Sequence, residues 1–252
     1  MKGRTLLIDL CCAVICTFIA AAAFAQTDPQ FAKATQAYAQ GHFKEAIGGY
    51  EMLVRSGQWS ANLFYDLGNA YFRTGDFGRA ILNYERALAL ERHHPEAAAD
   101  LQIARDEARA LEMQQTWLER YLQFASVNQY IIAATGAFWV AALCIVALIF
   151  ARRRSARLIA LPILSFSVCA LAILATCEID RGSKGRALAI ITGDNVQARL
   201  ATADTANSVL ALPPGSEIQM LNTRGDWVYA ALPNNLRGWI PAKSTELLRL
   251  PN

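Results

Sequence analysis

Residues 41–50 read GHFKEAIGGY, and residues 75–84 read GDFGRAILNY. Gly41, Phe43, Ala46 and Tyr50 of the first stretch return as Gly75, Phe77, Ala80 and Tyr84 of the second, each pair 34 residues apart. Four matches at one spacing mark an internal repeat, and a period of that length holds one helical hairpin per copy. The residue types explain the hairpin. Gly68 and Ala80 are small enough for two antiparallel helices to cross closely, while Leu67, Tyr71, Tyr84 and Leu88 supply apolar stripes at three- and four-residue spacing. Gly75-Asp76 forms the turn between the helices. Asp28-Pro29 reads as an N-cap followed by proline at the first helical position, and Ser60 as a second N-cap.

The second copy is fuller: Phe64, Leu67, Gly68 and Tyr71, then Gly75, Ala80, Tyr84 and Ala87. It resembles the tetratricopeptide repeat (TPR) in residue type and spacing. Pro95 opens a further helix, rich in Ala and Leu, to about Ala110, which reads as the cap of the array. Residues 26–115 are therefore expected to be a TPR domain of two repeats and a capping helix. Two repeats fall below the usual three, so self-association or a partner is expected to complete the core. The resemblance implies a peptide-binding concave face made by the first helices. Its inward positions are Asn62, Tyr65, Asn69, Phe72 and Arg73 in the fuller repeat, and Phe31, Thr35 and Tyr38 in the first. Asn69 matches the asparagine that many peptide-binding TPR domains turn to the ligand backbone, and Arg73 suits a carboxylate. The other reading of this face is a solvated surface.

The chain has 252 residues, 54% of them apolar, with 24 Lys+Arg against 21 Asp+Glu. Disorder is excluded by that apolar content. The hydrophobicity is concentrated. Residues 1–25 read as a signal peptide, with Lys2 and Arg4 before an apolar stretch and Ala23-Phe24-Ala25 as the cleavage site; an uncleaved anchor helix is the alternative. Residues 130–150 and 158–177 carry no formal charge and are long enough to cross a bilayer. Between them, residues 151–157 hold Arg152, Arg153, Arg154 and Arg157. Such a loop stays cytoplasmic, since one Arg at the bilayer centre costs ~2.5–3.5 kcal/mol or more. The segments on either side then face the opposite compartment. Tyr130 suits the membrane interface, and Trp139, in mid-span, is expected to pack on another helix. Residues 116–129, with Trp117, Leu118, Tyr121, Leu122 and Phe124, read as an amphipathic juxtamembrane helix on the membrane surface, or as a continuation of the capping helix into the span.

Residues 178–252 change character. Ala187 to Thr192 and Glu217 to Asn222 are strand-like, and Leu212-Pro213-Pro214-Gly215 and Asn222 to Asp226 are turn signals. Val196-Gln197-Ala198-Arg199, Gly225-Asp226-Trp227-Val228-Tyr229 and Arg237-Gly238-Trp239-Ile240-Pro241 together resemble bacterial SH3-like β-barrels. Trp227, Trp239 and Pro241 would form any aromatic peptide groove; alternatively the two tryptophans close the small core. The paired tyrosines of proline-binding SH3 domains are missing, with Ser244 or Thr245 where one is expected. Arg224-Gly225-Asp226 is a turn between two strands.

No catalytic set stands out. His42, His93 and His94 have no cysteine nearby, and there is no phosphate loop, Gly-x-Ser-x-Gly or His-Glu-x-x-His. Cys11, Cys12 and Cys16 lie in the leader and Cys144, Cys169 and Cys177 in the spans, which leaves the polar segments without a disulfide framework or zinc knuckle. The expectation is no enzyme, no cofactor and no metal. The basic excess sits beside apolar runs, so nucleic-acid binding is not expected. The fold class is multidomain α plus β: TPR α-solenoid, two-helix transmembrane hairpin and SH3-like β-barrel. That order resembles the BatE-type TPR–SH3 membrane proteins of the aerotolerance (Bat) operon. The resemblance implies a scaffold in the bacterial inner membrane with both soluble domains periplasmic. It also implies von Willebrand factor A-type membrane proteins as partners and a MoxR-type AAA+ ATPase working alongside. The alternative is a protein that binds or senses peptidoglycan through the SH3-like domain.

Overall fold

The computed structural model describes residues 29–122, 125, 127–150, 156–182, 185 and 187–249. The leader (1–25), the Asp28 cap and Arg152, Arg153 and Arg154 of the basic loop lie outside the described residues.

The repeat folds as two helical hairpins: α1 (Pro29–Ala39) with α2 (Phe43–Arg55), and α3 (Ala61–Thr74) with α4 (Phe77–Leu90); α5 (Pro95–Ala108) follows. Gly41 and Gly75 turn the chain with φ of +81° and +80°, a region glycine enters without a Cβ clash. Ser60 caps α3 by accepting from the Leu63 amide at 3.1 Å. Asp76 caps α4, accepting from the Arg79 amide at 3.0 Å. His94 Nδ1 caps α5, accepting from the Ala97 amide at 3.2 Å.

The period visible in sequence is also a period of contacts. Phe31 meets Tyr50 at 5.7 Å between ring centroids, and Tyr65 meets Tyr84 at 6.0 Å. Tyr38 packs edge-on against Phe43 at 5.3 Å, and Phe72 against Phe77 at 5.5 Å. Each helix crossing needs a glycine, on opposite partners in the two copies. A Cβ on Gly49 of α2 would stand 2.8 Å from Ala34, and a Cβ on Gly68 of α3 would stand 2.7 Å from the Tyr84 ring.

After α5, Arg109 adopts a left-handed conformation (φ 52°) and ends the helix. The chain then runs to a six-residue helix, α6 (Trp117–Leu122), so the capping helix does not continue into the span. Two long antiparallel helices follow, α7 (Val127–Phe150) and α8 (Ala156–Arg181). Their apolar windows have mean hydropathy 2.4 and 2.2 and are only 6% and 17% buried. A core helix of a soluble domain would be largely covered, whereas these two are long and apolar enough to span a membrane. Ala141, Ala172 and Ala175 are buried, and Ile, Leu and Phe side chains along both helices face outward. Trp139 is a correction: it is 61% exposed, meeting the neighbouring Phe138 edge-on, and turns to the surroundings of the hairpin.

Beyond α8 the described residues hold seven strands: β1 (Leu188–Ile191), β2 (Val196–Arg199), β3 (Ser208–Leu212), β4 (Glu217–Arg224), β5 (Trp227–Ala231), β6 (Arg237–Pro241) and β7 (Thr245–Leu247). They form one antiparallel sheet in the order β3-β2-β6-β5-β4-β1-β7. Ala198, Ile218, Val228, Ala230 and Ile240 fill its inner face.

The repeats and the sheet share a core. All four residues of β1 are buried. Ala189 and Ile191 point into the sheet, while Leu188 and Ile190, with Leu248, join Ile81 and Leu82 of α4. Backbones approach closely here: a Cβ on Gly78 would stand 2.8 Å from the Ile191 carbonyl, and one on Gly215 2.1 Å from Ile81. This corrects the expectation of an open repeat core awaiting a second molecule, because the chain's own sheet buries the outer face of α4. Polar groups lock the seam. Arg86 donates to the Leu248 and Leu247 carbonyls at 3.1 and 2.9 Å. Arg105, on α5, donates through Nη2 to Glu85 of α4 and to Glu217 of β4, both at 2.6 Å. Glu217 is fully buried, and its second oxygen accepts from the Met113 amide at 2.9 Å.

Removing Arg105 would strand Glu217 without its counter-charge. Arg105→Ala is expected to lower unfolding stability by ~3–5 kcal/mol, against about 0.5 kcal/mol or less for the exposed Arg109→Ala. Denaturant melts of the detergent-solubilised chain, followed by tryptophan emission, measure both.

Candidate functional site

The outer face of α4 is covered, while an arc of α1 and α3 stays open to solvent, as does part of α2. The five expected positions of α3 fall on that arc. Asn62 and Arg73 are exposed, and Tyr65, Asn69 and Phe72 are half-buried. The half-buried three are held by the repeat itself. Asn69 Oδ1 accepts from the Tyr84 hydroxyl at 2.7 Å, matching the 3.0 Å contact of Thr35 with Tyr50 one repeat earlier. Burial raises the Tyr84 and Tyr50 phenols above their ordinary value. Tyr65 donates to Asp100 of α5 at 2.9 Å and stacks beside His94 at 4.9 Å. The Arg73 guanidinium lies 4.8 Å from the centroid of the Phe43 ring. A cation over an aromatic face contributes about 0.5–1 kcal/mol at exposed sites, and the guanidinium edge keeps donors for a carboxylate.

Asp66 on α3 was not singled out in the sequence. It is half-buried, and burial pushes its carboxyl up to about 6, with His94 nearby acting in the opposite direction. An acid of this kind is recognisable only once the neighbouring helices are in place.

The sheet carries a second cluster. Strand register pairs Trp227 with Pro241, Tyr229 with Trp239, and Ala231 with Arg237. Arg224 lies beside Trp227, Asn222 beside Tyr229 and Arg199 beside Trp239. Paired residues share a face, so the aromatics form a ladder flanked by arginines. This is the outer face, because Val228, Ala230 and Ile240 between them fill the core. The reading in which Trp227 and Trp239 close the core is thereby corrected: both are half-buried on the opposite side. Tyr229, 5.0 Å from Trp239, completes the ladder and was missed. Its two-residue spacing from Trp227 was the available signal, since alternate strand residues share a face. Among the described residues, no three His, Cys, Asp or Glu converge as a metal site would require.

The tetratricopeptide repeat family model matches residues 61–94, which cover α3, α4 and the turn before α5. The chain thus contains a tetratricopeptide repeat, a type of module that is typically non-catalytic and joins proteins to one another. No curated protein matches the chain.

Asp66 gives a signed pH test. Its folded value of about 6 stands above the ordinary 3.8. Its contribution to stability is therefore fully present below about pH 4 and lost as pH rises through about 6. Asp66→Asn is expected to raise unfolding stability at about pH 8 by on the order of 1 kcal/mol, reduced by solvent screening, and to leave it unchanged at about pH 3. Urea melts at the two pH values check the sign.

Proposed function

We propose that the protein is a non-enzymatic, membrane-anchored scaffold that gathers protein partners outside the cytoplasm. The observation that carries this reading is the division of the repeat's two surfaces. The outer face of α4 is consumed by the chain's own sheet, while Asn62, Tyr65, Asn69, Phe72 and Arg73 remain exposed or half-buried on α3. An extended peptide on this surface would meet an amide, aromatic rings and a guanidinium, with the Asp66 carboxyl alongside. Partner recognition would rest on the fit of backbone to Asn62 and Asn69 and of a carboxylate to Arg73.

By resemblance to BatE-type proteins, the partners are von Willebrand factor A-type membrane proteins acting with a MoxR-type AAA+ ATPase. The inner membrane is then the site of action and both folded units are periplasmic. The basic loop supports this orientation, since four arginines resist translocation. The sheet is read as an SH3-like module, supported by the Gly-x-Trp and Gly-Trp-Ile segments and by the aromatic ladder. A second reading, peptidoglycan binding by that ladder, is favoured by the same observation of Trp227, Tyr229, Trp239 and Pro241 on one face.

Asn62→Glu with Arg73→Glu changes two exposed side chains and should leave the fold intact. Recovery of co-purifying membrane proteins is expected to fall about tenfold, equivalent to about 1.4 kcal/mol of affinity. Unchanged recovery counts against the repeat as the partner surface. Sedimentation of the full chain with purified wall material, with and without Trp239→Ala, separates the second reading: loss of sedimentation in the variant supports it.

A further inference from the structure

Helix α6 buries none of its residues, yet its composition is far from polar. Trp117 is 81% exposed, Tyr121 77% and Leu118 40%. At about 100° per residue, Trp117, Tyr121, Leu118 and Leu122 fall on one arc, and Glu119 and Arg120 on the other. The helix is defined at its start by a reciprocal capping box. The Thr116 amide donates to Glu119 Oε2 at 2.9 Å, and the Glu119 amide to Thr116 Oγ1 at 3.2 Å. The aromatic arc is therefore presented by a fixed element.

Its position is fixed as well. At its far end, the Tyr130 hydroxyl of α7 donates to the Leu122 carbonyl at 3.0 Å. On its flank, Glu119 lies against Gly182, just beyond α8: a Cβ on Gly182 would stand 2.8 Å from Glu119 Oε1. The sheet grips the same end of α8. Gln219 Nε2 donates to the Gly182 carbonyl at 3.3 Å, and Arg249 pairs with Asp180 at 3.6 Å. So α6 sits where both apolar helices reach the folded unit, and its exposed arc is continuous in the chain with their outward-facing side chains.

We propose that α6 is a lipid-interface anchor. Trp117, Tyr121 and Leu118 enter the headgroup zone of the bilayer that α7 and α8 cross, Glu119 and Arg120 stay on the wet side, and the joined repeats and sheet are thereby held at one tilt to the membrane. Trp and Tyr suit this zone because their rings bury apolar area while N–H and O–H keep polar partners. The capping box satisfies the Thr116 and Glu119 amides, and the first-turn amides of Trp117 and Leu118 can be solvated in the wet headgroup zone. The occupant is the bilayer on grounds of continuity: only four residues separate α6 from α7.

The inference rests on α7 and α8 spanning a membrane, and the test separates the two claims. Two full-length single-tryptophan chains are reconstituted in phosphatidylcholine–phosphatidylglycerol vesicles, one keeping Trp117 and one keeping Trp139, with the other tryptophans changed to Phe. Lipids brominated near the headgroup are expected to lower Trp117 emission about twofold, and lipids brominated near the chain ends to do the same to Trp139. Quenching of Trp139 alone, with Trp117 open to aqueous acrylamide, overturns the anchor while the span stands. Failure of both probes overturns both claims. Shielding of Trp117 that disappears when the protein is diluted in lipid assigns the surface to a second copy and also overturns the anchor. Should the multiple Phe changes disturb the fold, Trp117→Ala in the otherwise native chain gives the same reading. It must remove the component quenched by headgroup-proximal bromine, and an unchanged quenching profile refutes the proposal.

Discussion

Arg105 stands where three pieces of the chain meet. It comes from the capping helix, one carboxylate it binds comes from the second repeat, and the other from the sheet, 112 residues away in sequence. A fully buried carboxylate such as Glu217 is tolerated only with a close counter-charge and its remaining lone pairs occupied. Arg105 and the Met113 amide meet that demand. The apolar seam of Leu188, Ile190, Ile81 and Leu82 supplies area, but apolar contact has no direction and would allow the sheet to slide along α4. The charges and the close backbone contacts at Gly78 and Gly215 select one placement.

That placement decides which surfaces remain for function. The second repeat gives the outer face of α4 to the sheet, whereas the first repeat keeps exposed side chains on both of its helices. The proposed binding surface lies on α1 and α3, where Thr35 and Asn69 are braced by Tyr50 and Tyr84 behind them. Preorganisation of this kind lowers the ordering cost of capturing an extended segment. The sheet, for its part, meets the repeats through Leu188 and Ile190 of β1, and keeps its aromatic ladder on the side of β5 and β6 opposite its own core. Two distinct surfaces therefore belong to one joined body, tied by Gln219 and Arg249 to the end of an apolar hairpin.

Much of the candidate site could be read in the sequence, for identifiable reasons. The resemblance to the tetratricopeptide repeat pointed to Asn62, Tyr65, Asn69, Phe72 and Arg73, and helical geometry puts these five on one arc wherever the helix packs. The bond from Tyr84 to Asn69 was not legible, since it depends on how far apart two helices stand. The same limit hid the raised acidity range of Asp66, which is a property of burial. On the sheet, Trp227 and Trp239 were visible as landmarks, but which face they take depends on strand register. A shift of one residue would have put them in the core.

By itself, the sequence determined the elements: two copies of a helical hairpin spaced 34 residues apart, two apolar runs of membrane length, and a strand-rich carboxyl-terminal module with its turns. These follow from local periodicity and chain stereochemistry, which act between near neighbours. The tertiary structure alone decided that the repeats and the sheet share one core, that Arg105 joins them, and that Trp139 and the aromatic ladder face outward. Those outcomes depend on pairs such as Arg105 and Glu217, whose proximity is set by the packing of whole elements and leaves no periodic mark in the sequence.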